Sequence, residues 1–272
     1  MKLYGCQFDV AWEDKPRNFQ KVRAMLIAAR LEAGSLVFLP EMFATGFSMN
    51  VKTIAEDPQK GPTTEFLSGL ARELGIYAAG GYATIRPDGK ARNELAVFQP
   101  DGMRVAQYAK LHPFTFGRES QHYVGGNEIC RFEWAGAGVC PFICYDLRFP
   151  EAFRAATYGG AEVLAVIANW PKPRDEHWMT LLRARAIENQ AYVIGVNRCG
   201  NDPWLEYFGR SLIIDPQGNV LTDGGGGEGV VQADLDMPAL RAYREQFPVL
   251  RDMRADFLST KSPPAPDRRQ RE

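Results

Sequence analysis

The sequence predicts an α/β fold in which a mixed sheet, or more than one sheet, is covered by helices. Three observations lead there. Apolar runs of strand length alternate with stretches whose apolar residues recur at helical spacing. The turn Pro87-Asp88-Gly89 joins two such runs as a hairpin, which demands antiparallel pairing. A chain of 272 residues, 45% of them hydrophobic, is long enough to bury one large core.

The elements follow in order. Leu3 to Val10 reads as a strand, and Arg17 to Leu31 as a helix with Phe19, Val22, Leu26 and Ile27 on one side. Ser35 to Leu39 (SLVFL) reads as a buried strand ended by Pro40. Gly61-Pro62 signals the start of a second helix, Thr63 to Leu74, and strands follow at Ile76 to Ile85, Glu94 to Phe98 and Arg104 to Tyr108. Val139 to Ile143 is a further buried strand, and after Pro150 a short helix runs to Gly159-Gly160. A strand at Val163 to Ala168, a helix from Asp175 to Gln190 and a strand at Tyr192 to Asn197 continue the alternation. Ser211 to Ile214 and Asn219 to Leu221 flank a Pro216-Gln217-Gly218 turn. No repeat or interdomain linker is visible, so residues 1–258 read as one domain. The proline-rich, charged end Lys261 to Glu272 (KSPPAPDRRQRE) makes 259–272 a disordered, solvated tail.

Composition narrows the function. Lys+Arg 32 against Asp+Glu 33 leaves a net charge of -1, so no global positive field points to nucleic acid or an anionic membrane. A small-molecule partner is the default. Met1 to Val10 lacks the apolar core of a secretory signal, and nothing approaches the roughly 18 unbroken apolar residues needed to span a bilayer. A cytoplasmic protein is expected. Five cysteines, an odd number in a chain of this size, argue against a disulfide framework. Cys6, Cys140 and Cys199 are expected to be buried as small hydrophobes.

Three residues could carry chemistry. Cys144 follows a strand and precedes a polar stretch and a helix, where a helix dipole would favour thiolate over the free value of about 8.5. Burial as an inert thiol is the commoner fate of a cysteine. Glu41 follows Phe38-Leu39-Pro40 and precedes Met42-Phe43, so desolvation would raise its carboxyl toward the range of a general base. A helix cap or a surface acid is the competing reading. Lys110 also stands at a strand end, where loops gather and sites form. A thiol, a base for its proton and a fixed cation for an oxyanion make a complete acyl-transfer site.

Other constellations are weaker. His112, His122 and His177 with Cys130 and Cys140 match no zinc-ligand spacing, and a papain-like pattern is absent around Cys144. The run Gly224 to Gly227 lacks the Gly-Lys-Ser/Thr ending of a phosphate loop and reads as a flexible turn. Arg183 and Arg185 read as a solvated helix face. Arg174 or Arg118 would hold a substrate carboxylate by a bidentate pair if the substrate bears one.

With these residues in view, the sequence resembles the nitrilase superfamily of carbon-nitrogen hydrolases. Matching pieces are Phe38-Leu39-Pro40-Glu41 with Met42-Phe43, then Tyr108-Ala109-Lys110-Leu111-His112, then Ile143-Cys144-Tyr145-Asp146-Leu147-Arg148-Phe149-Pro150-Glu151. The resemblance runs from the first strand to about Phe257. It implies a four-layer α-β-β-α sandwich with two mixed sheets, Glu41 as base, Lys110 as oxyanion-side cation and Cys144 as nucleophile. It further implies the Tyr145 N–H as a second oxyanion donor, Glu119 as an additional orienting glutamate, and a homodimer or higher homo-oligomer paired through helices near the site.

Three stretches are most similar to the omega-amidase branch, which hydrolyses the terminal amide of 2-oxo acid amides such as 2-oxoglutaramate. They are Ala168-Asn169-Trp170-Pro171 with Arg174, Arg185 to Val193, and Leu240 to Pro248. Trp170 and Arg174 are accordingly expected at the substrate, while Asp202 to Glu206 matches no fixed pattern. The implied reaction passes through a cysteine thioester, releases ammonia and needs no metal or organic cofactor. Alternatives are an N-carbamoyl amide hydrolase, another aliphatic amidase or nitrilase, and a non-catalytic binding protein on the same scaffold.

Overall fold

Leu36, Val37, Phe38 and Leu39 alternate between two different cores. Leu36 and Phe38 belong to one cluster with Val139, Phe142, Val166 and Ile194, whereas Val37 and Leu39 belong to another with Val22, Leu26, Leu67 and Leu70. Strand side chains point to opposite faces in turn, so this strand has a second sheet on one side and helices on the other.

The computed structural model describes residues 1–254. Its strands are β1 (Lys2–Gln7), β2 (Leu36–Phe38), β3 (Tyr77–Ile85), β4 (Ala91–Phe98), β5 (Arg104–Ala109), β6 (Phe132–Trp134), β7 (Ala137–Ile143), β8 (Val163–Ala168), β9 (Tyr192–Asn197), β10 (Cys199–Asn201), β11 (Glu206–Phe208), β12 (Leu212–Ile214), β13 (Val220–Asp223) and β14 (Gly229–Asp234). Its α-helices are α1 (Lys15–Ala28), α2 (Val51–Ile54), α3 (Pro62–Leu74), α4 (Pro150–Tyr158), α5 (Asp175–Asn189) and α6 (Met237–Gln246). The first six-stranded sheet has the order β14-β1-β2-β3-β4-β5, and the second has β13-β12-β9-β8-β7-β6.

Both sheets are mixed, as expected. In the first, β1 and β3 pair parallel with β2, while β14 on β1, β4 on β3 and β5 on β4 are antiparallel. In the second, β7 and β9 pair parallel with β8, while β6, β12 and β13 add antiparallel edges. The two sheets therefore share one pairing pattern, although the sequence shows no repeat. Topology has kept a symmetry that the side chains do not display.

Caps explain the helix limits. Asp14 accepts from the Arg17 N–H at 3.1 Å and opens α1, and Gly75 at φ 65° ends α3 in the left-handed region open to glycine. In α1 the apolar face departs from expectation: Val22 and Leu26 are buried, but Ile27 is 50% exposed. One residue past Leu26 is a rotation of about 100°, which carries Ile27 off the stripe. The short strands β6, β10 and β11, the short helix α2, and the later β14 and α6 were not legible from periodicity. Their lengths or glycine-flanked starts leave few apolar repeats to read.

Among the described residues no helix is long and apolar enough to cross a membrane. The tail expected at 259–272 lies outside the described residues. Cys6, Cys140 and Cys199 are buried and free, as expected, and Cys130 and Cys144 are free and half-buried.

Candidate active site

Glu41 lies just past β2, and its position depends on a missing side chain in β3. A Cβ on Gly81 would stand 2.9 Å from both the Glu41 Cα and the Met42 N, closer than real Cβ contacts allow. Glycine there lets the loop lie against the strand, with the Gly81 N–H donating to the Pro40 carbonyl at 3.3 Å and the Gly81 carbonyl accepting from the Phe43 N–H at 3.2 Å. Lys110 follows β5, with its N–H on the Asn93 carbonyl of β4 at 2.9 Å. Cys144 follows β7 at φ 48°, an unusual backbone angle for a non-glycine residue, and opens the 3-10 turn Cys144–Arg148. Glu119 sits in the 3-10 turn Glu119–Gln121, entered through Arg118 at φ 60°.

These four residues meet. Lys110 Nζ donates to Glu41 Oε1 at 3.0 Å and to Glu119 Oε2 at 2.8 Å, and all three side chains are buried. Asn93, which was not picked out in the sequence, joins both carboxylates: its amide donates to Glu41 Oε1 at 2.7 Å and to Glu119 Oε1 at 2.9 Å. Phe114 N–H donates to Glu119 Oε2 at 2.6 Å. From the other sheet, Asn169 N–H reaches Glu41 Oε2 at 2.8 Å, and its side-chain amide holds the Glu41 carbonyl at 2.7 Å. Only polar neighbours of this density make two buried carboxylates tolerable beside one cation.

The electrostatics correct one expectation. Burial first, and then the charges of Glu41 and Glu119, push the Cys144 thiol well above its ordinary range, against the opposing pull of Lys110. The helix α4 begins only at Pro150, so its dipole does not dominate the thiol. This direction favours the thiol over the thiolate at Cys144, beside the Glu41 carboxylate. Lys110 moves in the direction its partners dictate: burial lowers its pKa, but Glu119 and Glu41 outweigh that and hold it well above the usual lysine value.

A cleft of about 440 Å³, its open mouth included, contains Glu41, Lys110, Cys144, Tyr145, Asn169 and Trp170 in its lining. Arg148 and Arg174 also line it. The Arg148 guanidinium lies 4.8 Å over the Trp170 ring, and that of Arg174 lies 5.6 Å over Phe114. Trp170 is fixed by its indole N–H on the Arg174 carbonyl at 2.7 Å. Burial, with Arg174 nearby, lowers the Arg148 pKa. Among the described residues neither arginine has an acidic partner.

Several candidates fall elsewhere. Arg118 is exposed and does not line the cleft, because its left-handed backbone serves the turn that places Glu119. Arg185, read as part of a solvated face, is buried and donates to the Leu147 carbonyl at 2.7 Å, bracing the turn that follows Cys144. Arg148 could have been found from the sequence, since it lies in the stretch quoted around Cys144. Asn93 carried no local signal. Among the described residues no group of three or more His, Cys, Asp and Glu side chains is placed to hold a metal ion.

Comparison with known proteins places this geometry in context. A sequence profile described as carbon-nitrogen hydrolase matches residues 4–245. A 2-oxoglutaramate amidase of Bacillus subtilis is 36% identical over 252 residues, covering 92% of this chain and 96% of its own. An omega-amidase of Yersinia enterocolitica, YafV, is 38% identical over 257 residues, with 93% and 96% covered. Among solved structures, the protein XC1258 of Xanthomonas campestris, described as a CN-hydrolase superfamily protein with an arsenic adduct in the active site, superposes with a TM-score of 0.87. It is 35% identical, and the match covers 93% of this chain and 97% of that one.

Proposed function

Because this chain belongs to the carbon-nitrogen hydrolase family, we propose that it is an omega-amidase that hydrolyses the terminal amide of a small 2-oxo acid amide such as 2-oxoglutaramate. The observation that carries the reading is one cleft whose lining combines Cys144, Glu41 and Lys110 with two arginines, Arg148 and Arg174. Lys110 is paired there with Glu41 and Glu119, whereas among the described residues neither arginine has an acidic partner. An amide at Cys144 and a carboxylate at the arginines fit that lining. The named amidases of Bacillus subtilis and Yersinia enterocolitica support it.

Glu41 Oε1 spends its two lone pairs on Asn93 and Lys110, at 2.7 and 3.0 Å. Oε2 accepts from Asn169 N–H at 2.8 Å and has only a long contact of 3.4 Å to the Asn169 side-chain amide. Oε2 is thus the atom with room for the thiol proton. Lys110 has three N–H donors, of which Glu41 and Glu119 take two. Among the described residues the third has no hydrogen-bond acceptor and is open to an oxyanion.

The steps follow. Glu41 Oε2 takes the proton as the Cys144 sulfur attacks the amide carbon, and the carbonyl oxygen becomes an oxyanion held by Lys110 and the Tyr145 N–H. As the tetrahedral species collapses, the C–N bond breaks and Glu41 returns the proton to the departing ammonia. Water, deprotonated by Glu41, then cleaves the thioester and regenerates the thiol and a carboxylic acid. Glu119 anchors Lys110 throughout.

The test is ammonia release from a 2-oxo acid amide, an N-carbamoyl compound, a neutral short amide and a nitrile. The 2-oxo acid amide is expected to have the highest kcat/KM. Equal turnover of the neutral amide would overturn the role of the arginines, and no ammonia from any amide would overturn the activity.

The same reading takes the protein as a cytoplasmic homodimer. Tyr158, Ile187 and Phe247, all exposed on or beside α4, α5 and α6, support pairing through those helices. Light scattering should give the mass of two chains, and the mass of one would refute it.

A further inference from the structure

We propose that Asp146 is a positioning residue that clamps the Cys144 turn to the segment carrying Lys110, and so sets the placement of nucleophile and oxyanion cation. This rests on the reading of Cys144 as nucleophile. Asp146 is fully buried, yet it forms no ion pair with a lysine or arginine among the described residues. Its carboxylate is occupied otherwise. Oδ2 accepts from Tyr108 O–H at 2.7 Å and Ile143 N–H at 3.1 Å, while Oδ1 accepts from His112 N–H at 2.9 Å and His112 Nδ1 at 2.8 Å.

The sequence positions of these donors give the clamp its meaning. Tyr108 and His112 stand two residues to either side of Lys110, and Ile143 immediately precedes Cys144. One carboxylate therefore ties both segments together at four points. The Tyr108 O–H and the Ile143 and His112 N–H groups all donate to this carboxylate, so an amide, which exchanges one acceptor oxygen for a donor, cannot replace it fully. The Nδ1–H tautomer of the His112 ring satisfies the 2.8 Å contact to Oδ1. His112 is held in turn by stacking on Phe149 at 3.7 Å and 8°.

The clamp also answers how Cys144 keeps a left-handed φ of 48°. Ile143 N–H is drawn back to Asp146, which closes the turn around the cysteine, and Arg185 fixes the far side through the Leu147 carbonyl. Such backbone angles persist only where surrounding contacts over-determine them. Releasing the turn lets the sulfur move relative to Lys110, and a displacement of about 1 Å is enough to cost on the order of a hundredfold in rate.

The experiment uses the full-length enzyme with Asp146→Asn and Tyr108→Phe, measuring kcat, KM, melting temperature and the rate of inactivation by iodoacetamide. Asp146→Asn should lower kcat by about ten- to a hundredfold with KM nearly unchanged, and should slow alkylation of Cys144. Tyr108→Phe removes one donor and should act in the same direction, less strongly. If Asp146→Asn does not fold, Tyr108→Phe decides.

Two failures are distinguishable. If the unsubstituted enzyme stays active with Cys144 fully alkylated, the nucleophile reading falls and the clamp with it. If alkylation does inactivate it, but folded variants keep kcat and alkylation rate within about twofold, the clamp alone is overturned. A fall in melting temperature without any change in kcat or alkylation counts against it equally, since that is what a merely structural residue would show.

Discussion

Asn169 and Glu41, 128 positions apart, are joined twice: the Asn169 N–H reaches the Glu41 carboxylate at 2.8 Å, and its side chain reaches the Glu41 carbonyl at 2.7 Å. The general base proposed on the first sheet is thus held from the second. Asn169→Ala keeps the backbone donor but leaves a buried carbonyl unpaired, a loss of about 1–3 kcal/mol. Thermal unfolding should reveal that loss, and kcat should fall about tenfold as Glu41 loosens. An unchanged kcat would show that Glu41 is held adequately without the side chain.

Glu41→Gln should separate two effects of one carboxylate. Removing its charge takes away a cause that raises the Cys144 pKa, so the thiol should titrate at lower pH than in the unsubstituted enzyme. Turnover should nonetheless vanish, because the base is gone. Thiolate absorbance followed against pH, beside ammonia release, checks both; a Cys144 titration that does not move downward would contradict the proximity of the two groups.

Lys110→Met leaves Glu41 and Glu119 buried without their cation. A broken buried pair costs about 3–5 kcal/mol, so the variant should melt well below the parent. Activity should drop by at least about a hundredfold. Retention of both stability and rate would remove Lys110 from its proposed role.

Arg174→Ala and Arg148→Ala should raise KM for an anionic amide by about 1.5–3 kcal/mol, roughly ten- to a hundredfold, and leave a neutral amide nearly unaffected. Arg118→Ala should change neither. Steady-state kinetics on both substrate types decides, and an equal effect on the two would show that the arginines are structural.

Alkaline pH should destabilise the fold. Burial, with Glu228, pushes the Cys6 thiol up to about 12; burial, with Cys130, takes Cys140 to about 12; burial, with Glu228, takes Cys199 to about 11. A thiol whose folded pKa is raised contributes stability that is complete below the unfolded value of about 8.5 and is lost as pH climbs through the folded value. Melting temperature measured from pH 7 to 10.5 should decline above about 8.5. A flat profile would contradict the burial of these cysteines.

How much of this was legible in the sequence depends on range. Val163–Ala168 and Tyr192–Asn197 were readable because a fully apolar strand announces itself locally. Glu41, Lys110 and Cys144 were readable as strand-end residues, and the resemblance ordered them. Asn93 was not, since its meaning arises only when β4 lies between β3 and β5 and points its amide at two carboxylates from elsewhere. The state of Cys144 was misread for a related reason. Local sequence points to a helix dipole, whereas the thiol is raised by burial and by two acids brought from 103 and 25 positions away in the chain.

The seam between the two sheets has a kinetic consequence. Glu41, Asn93 and Lys110 come from or beside the first sheet, and Cys144 and Asn169 from the second, so neither half owns a working site. Recovery of ammonia release during refolding should lag the return of far-ultraviolet ellipticity. Ammonia release then reports when the two sheets have come together, which secondary structure alone does not.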